Sequence, residues 1–145
     1  MAFRFPLATV MRLREIAEIR EERLLGQILN QMAQCRRTLA DLEIRQKHLL
    51  EQREGALQAK TSAAELHISH RQVRAVEGQQ KTARAQLSSL ELLRCEQVKI
   101  YEKAHRNHEL LSTMREQQRE IFDREQTRQE QSVMDDTFSS RRSLR

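Results

Sequence analysis

Aromatic side chains are scarce in this sequence: four phenylalanines, one tyrosine and no tryptophan, 3% of the residues in all. Rings supply much of the volume of a thick core, so neither a β-sandwich nor a doubly wound sheet is expected. Glycine and proline are scarcer still, at three and one, and they form no cluster. Folds that turn often need those residues at short intervals, so this chain has few places to reverse. The two cysteines, Cys35 and Cys95, have no metal-binding spacing and are expected to stay reduced, without a disulfide. No apolar run approaches the ~20 residues that span a bilayer. Arg4, Arg12 and Arg14 interrupt anything like the core of a signal peptide, so the expected location is the cytosol.

What is plentiful points to helices. Ala, Glu, Leu, Arg and Gln dominate, and 32% of the residues are charged. That is the composition of long helices meeting along a thin apolar seam, and 145 residues allow at most one domain. The net charge of +5 is spread thinly: the basic excess is three over residues 1–60, two over 61–114 and none over 115–145. A nucleic-acid interface concentrates its cations on one arm or face. Charges of mixed sign at this density read instead as a solvated helix surface.

The seam is clearest between Leu24 and Leu57. Leu25, Met32 and Leu39 fall at one position of a seven-residue repeat, and Ile28, Cys35, Leu42 and Leu49 fall at the other. A stripe this narrow cannot be buried by one helix alone and calls for a partner of similar length. Pro6 suits a helix start, and Leu7, Val10, Met11, Leu13, Ile16 and Ala17 have helical spacing. The first helix is therefore expected over about 7–58. Ser62 with Glu65, and Ser69 with Gln72, both match capping boxes, which puts the connection within about 59–70. A second helix is expected over about 71–138, with 139–145 a disordered tail. Its stripe is Val73, Val76, Ala83, Leu87, Leu90, Leu93, Ile100, Ala104, Leu111, Met114 and Ile121, interrupted by Gln80, Gln97 and Gln118.

The expected fold is thus all-α: a long antiparallel two-helix coiled-coil hairpin with an overhanging C-terminal helix. A short connection makes the helices antiparallel neighbours, with facing residue numbers adding to about 130 and a hairpin of ~80 Å at 1.5 Å per residue. No glycine-rich phosphate loop and no nucleophile placed beside a base can be found, and no enzyme, cofactor or metal is expected. His67/His70 and His105/His108 are spaced to offer two ligands each, but the two pairs cannot converge on one ion and read as exposed polar residues. Ile121, Phe122, Val133, Met134 and Phe138 lie where no first-helix partner remains, which favours an interaction role for 115–138.

Both ends carry a resemblance. FRFPLATVMRLREIAE at the start is similar to the Phe-x-Phe-x-Leu opening and Leu-Arg-x-Arg-Glu run of the FliJ family of the bacterial flagellar type III export apparatus. Glu130-Gln131-Ser132-Val133-Met134-Asp135-Asp136 resembles that family's acidic signature near the C-terminus, and injectisome stalk proteins are more distantly similar. The resemblance implies a non-catalytic stalk that binds the hexameric export ATPase, promotes its assembly and activity, contacts the cytoplasmic domain of the membrane export gate and assists export chaperones. It would be peripheral at the cytoplasmic face of the inner membrane, without insertion, and monomeric when isolated. Carried over by position, the ATPase-facing residues are Arg12, Arg14 and Glu15 with Met134, Asp135, Asp136 and Phe138. The gate-facing stripe is Leu42, Arg45, Leu49, Val73 and Val76, where the family often has aromatics and this chain has none. The alternatives are a self-associating coiled-coil scaffold and, further off, a basic helical nucleic-acid binder.

Overall fold

The computed structural model describes residues 2–143. Two helices, α1 (Ala8–Gln58) and α2 (Ala63–Ser143), pack against each other, and the described residues include no strand. Their contacts fall into two compact units, Glu21–Tyr101 and Met1–Arg20 with Glu102–Arg145.

The unit Glu21–Tyr101 contains the connection between the helices. At the end of α1, Ala59 N–H donates to Gly55 C=O at 3.0 Å and Thr61 N–H to Ala56 C=O at 3.3 Å. Lys60 between them has φ 53°, the left-handed conformation that closes a helix C-terminus. The Thr61 hydroxyl also donates to Ala56 C=O, at 2.6 Å. Immediately afterwards Ser62 Oγ accepts the Glu65 N–H at 3.4 Å and starts α2. The connection is therefore 59–62, much shorter than the expected 59–70, because the first capping box is the one used. The second box lies inside α2, where Ser69 is half-buried.

Packing in this unit follows the seven-residue repeat. On α1 the repeat of less exposed positions is Leu25, Ile28, Met32, Cys35, Leu39, Leu42, Gln46, Leu49, Arg53 and Ala56, with Glu21, Gly26 and Ala33 half-buried beside it. Met32, 1% exposed, and Cys35 form a cluster with Ala83 and Leu90, and Ile28, Leu39 and Leu87 pack around it. The Cys35 thiol donates to Ala83 C=O at 3.1 Å. Contact numbers run in opposite senses on the two helices: Gln46 meets Gln80 and Glu21 meets Gln97.

On α2 the repeat departs from the expected stripe. Leu66, Ser69, Val73, Val76, Gln80, Ala83, Leu87, Leu90, Arg94, Gln97 and Tyr101 recur at strict three-four steps and are covered, with Glu91 and Val98 half-buried beside them. Leu93 and Ile100 are exposed, because Arg94 and Tyr101 hold the inward positions one residue further on. The glutamines do not interrupt the seam but belong to it. Gln80 is 4% exposed and donates from Nε2 to Gln46 Oε1 at 2.9 Å. Gln97 Nε2 donates to Glu21 C=O at 3.2 Å and to Glu21 Oε2 at 2.6 Å. Each buried amide thus has a partner, which is the condition for keeping one there.

The other unit pairs the chain start with α2 beyond Glu102. Phe5 is buried, and the Phe3 and Phe122 rings lie 5.6 Å apart at 53°, a tilted geometry favoured by their quadrupoles. Phe122 therefore has a partner, contrary to expectation, and it comes from the arm before α1 rather than from α1 itself. Ile121 is exposed. Every residue from Thr127 to Ser140 is also exposed. The helix continues to Ser143, through most of the tail expected to be disordered at 139–145; residues 144 and 145 lie outside the described residues.

Candidate interaction surfaces

The residues assigned to an ATPase contact all lie on solvent. Arg12, Arg14 and Glu15 are exposed on α1, and Val10, Leu13 and Ile16 beside them are exposed apolar residues. Met134 and Phe138, 70% and 78% exposed, flank Asp135 and Asp136 on α2. The structure does not bring these groups together. Phe3 sits opposite Phe122, and Met134 lies twelve residues further along α2, ~18 Å by helical rise. Within their unit they form two patches, not one.

The residues assigned to a gate contact divide differently. Val73 and Val76 are 5% and 3% exposed and belong to the seam, so they cannot present a surface to another protein. Leu42 and Leu49 are half-buried on the same seam, and Arg45 is exposed. The valine pair was carried over by position from the family resemblance, and its three-residue spacing is also that of a seam.

The most organised polar cluster was not foreseen. Glu18 on α1 stands between His105 and His108 on α2: His105 Nδ1 is 2.6 Å from one carboxylate oxygen and His108 Nδ1 is 2.6 Å from the other. The Glu18 side chain is 16% exposed, and the rings 49% and 25%. Hydrogen bonding from His105 chiefly, with His108 adding to it against a desolvation cost, holds the Glu18 carboxyl below its ordinary range. The Glu18 hydrogen bond raises the His105 imidazole above its usual value; partial burial opposes this, and the Glu18 and Glu109 charges add to it. A register near 130 placed Leu25 opposite His105. The contacts instead give facing numbers of 123 to 126 within the unit that holds Glu18 and 118 to 126 within the unit Glu21–Tyr101, since the connection is centred several residues earlier. With that offset the sequence itself would have paired Glu18 with the histidines.

Other charged contacts are peripheral. Arg84 and Glu43 meet at 3.8 Å with both side chains well exposed, and Arg94 donates from Nε to Glu91 at 3.1 Å one turn away on α2. Exposed pairs of this kind contribute about 0–1 kcal/mol. Among the described residues no group of three His, Cys, Asp or Glu is arranged to hold a metal ion. Nor is any helix long and apolar enough to cross a membrane.

A sequence model for the family described as Flagellar FliJ protein matches residues 3–145 of the chain. No individual curated protein and no solved structure matches it.

Proposed function

Since the chain belongs to the FliJ family, whose members are non-catalytic components of the flagellar export apparatus, we propose that it is the stalk of that apparatus. It is an antiparallel two-helix coiled coil whose C-terminal helix overhangs the first, and it engages the hexameric export ATPase and favours the ring's assembly and turnover. Its second contact is the cytoplasmic domain of the membrane export gate, and it assists export chaperones from a peripheral position at the cytoplasmic face of the inner membrane.

The observation that supports this reading best is the end of α2. From Thr127 to Ser140 the helix is exposed on every side, yet it carries Val133, Met134 and Phe138 among Asp135 and Asp136. Apolar side chains on an uncovered helix gain free energy only when a partner covers them. Arg12, Arg14 and Glu15 form a second ATPase-facing patch, and Arg45 with the rims of Leu42 and Leu49 is what this chain offers to the gate. A stalk of this kind holds no catalytic group. It acts by binding some conformations of the ring subunits better than others.

The test is ATP hydrolysis by the cognate export ATPase with the full chain and with the double variant Met134→Asp/Phe138→Asp. Stimulation by the native chain and its loss in the variant, with helicity unchanged by circular dichroism, is the expected result. Equal stimulation by both would move the contact away from the end of α2. No stimulation by either would favour a self-associating scaffold, for which the same exposed Met134 and Phe138 argue, and sedimentation would then show a dimer.

A further inference from the structure

We infer that Glu18, His105 and His108 form a pH-sensitive latch that fastens the N-terminal stretch of α1 to α2 within their unit, tight in mildly acidic solution and looser above neutrality. The latch is a property of this chain alone and does not depend on the proposed partners.

Its geometry is two-armed. A carboxylate can only accept, so each imidazole must donate from Nδ1, one to each Glu18 oxygen at 2.6 Å. The bonds join residues 87 and 90 positions apart in the chain. They therefore tie two elements together, unlike an ion pair between neighbours on one helix. Val10, Leu13 and Ile16 of the same stretch face solvent, while Leu7 and Met11 are half-buried.

A neutral imidazole can make its bond only as the Nδ1–H tautomer. An imidazolium donates from both nitrogens, and its bond to a carboxylate is charge-assisted and stronger. His105 has an acidic group on each side: Glu18 from α1, and Glu109 one turn along α2, 3.9 Å from its Nε2. By helical spacing Glu15 and Glu22 on α1 and Glu102 on α2 add negative potential around the trio, while Arg14 and Arg106 oppose it.

The sign of the effect follows from the two shifts. His105 is raised above its ordinary 6.5, so its contribution is complete below 6.5 and disappears as pH rises through the higher folded value. Glu18 is lowered from its ordinary 4.5, so its contribution is present above 4.5 and disappears as pH falls through the lower folded value. The latch is tightest between those two ordinary values and loosens on the alkaline side.

The experiment uses the full chain and two readouts. Proton NMR titration of the histidine rings is expected to give His105 a midpoint above 6.5, returning toward 6.5 in Glu18→Gln. Amide hydrogen exchange over residues 8–20, corrected for intrinsic rates, is expected to show several-fold stronger protection at about pH 6 than at about pH 8.5. That difference should vanish in Glu18→Gln and in His105→Gln/His108→Gln, the second variant guarding against a folding defect in the first. Protection that is flat with pH in the native chain, or a pH dependence that survives in either variant, would overturn the latch.

Discussion

Lys60 takes a conformation that suits a different residue. A side chain with a Cβ in the left-handed region is strained by ~1–2 kcal/mol relative to the right-handed one, and Lys60 is held there by the hydrogen bonds that close α1. Lys60→Gly removes the clash but gives the unfolded chain more freedom to lose. The net expectation is a gain of about 0.5–1 kcal/mol, seen as a rise in Tm of roughly 2–4 °C by thermal circular dichroism. The strain itself was not legible in the sequence, because lysine at a helix end is equally well explained by the dipole. Ser62 was legible, since a serine three residues before a glutamate satisfies an orphan N–H wherever a helix is about to begin.

The helices show where an apolar pattern informs and where it misleads. On α1 the inward positions are mostly aliphatic, so the repeat through Leu25, Ile28, Met32, Cys35, Leu39, Leu42 and Leu49 could be read directly. On α2 the same strict repeat passes through Gln80, Arg94, Gln97 and Tyr101, with Leu93 and Ile100 one position off. Reading hydrophobicity alone jumps to the neighbouring leucine and isoleucine; keeping the phase would have predicted buried amides. The Glu18 cluster was hidden for a related reason, since it appears only when the register is known to within a few residues.

The Gln46–Gln80 bond also has a use at this level. A buried polar pair costs stability relative to packed aliphatics but penalises every register that leaves either amide unmatched. Gln46→Leu/Gln80→Leu is therefore expected to raise Tm by a few degrees. It is also expected to broaden the states populated, detected as higher-order species in sedimentation velocity. A double variant that melts higher and remains a single species would show that the bond does not select the register.

Across the molecule, stability and the proposed ATPase contact are carried by different residues. Among the described residues the buried side chains lie between Phe5 and Gln97, and Phe122 and Gln126 are the last partly covered positions on α2. The described side chains beyond Gln126, residues 127–140, are all exposed, and truncation after Gln126 removes them. This truncation should shift Tm by no more than a degree or two, because exposed positions contribute little to stability. Removing ATPase stimulation while leaving melting intact would assign the segment to binding. A collapse in Tm would instead mean that it folds back onto the chain. What the sequence conveyed at this scale was the helical class and the family. Whether each exposed patch is occupied depends on surfaces that belong to other proteins.

The connection at 59–62 has a further consequence during synthesis. Seam residues near it find their partners soon after leaving the ribosome, but Cys35 must wait for Ala83, 48 positions later. At the usual ~5–20 residues per second of translation, that is several seconds with the Ile28–Met32–Cys35 stripe open to solvent. Phe3 waits longer still, for Phe122. The nascent chain therefore closes from its bend outward, and its first-made end is the last to be sheltered.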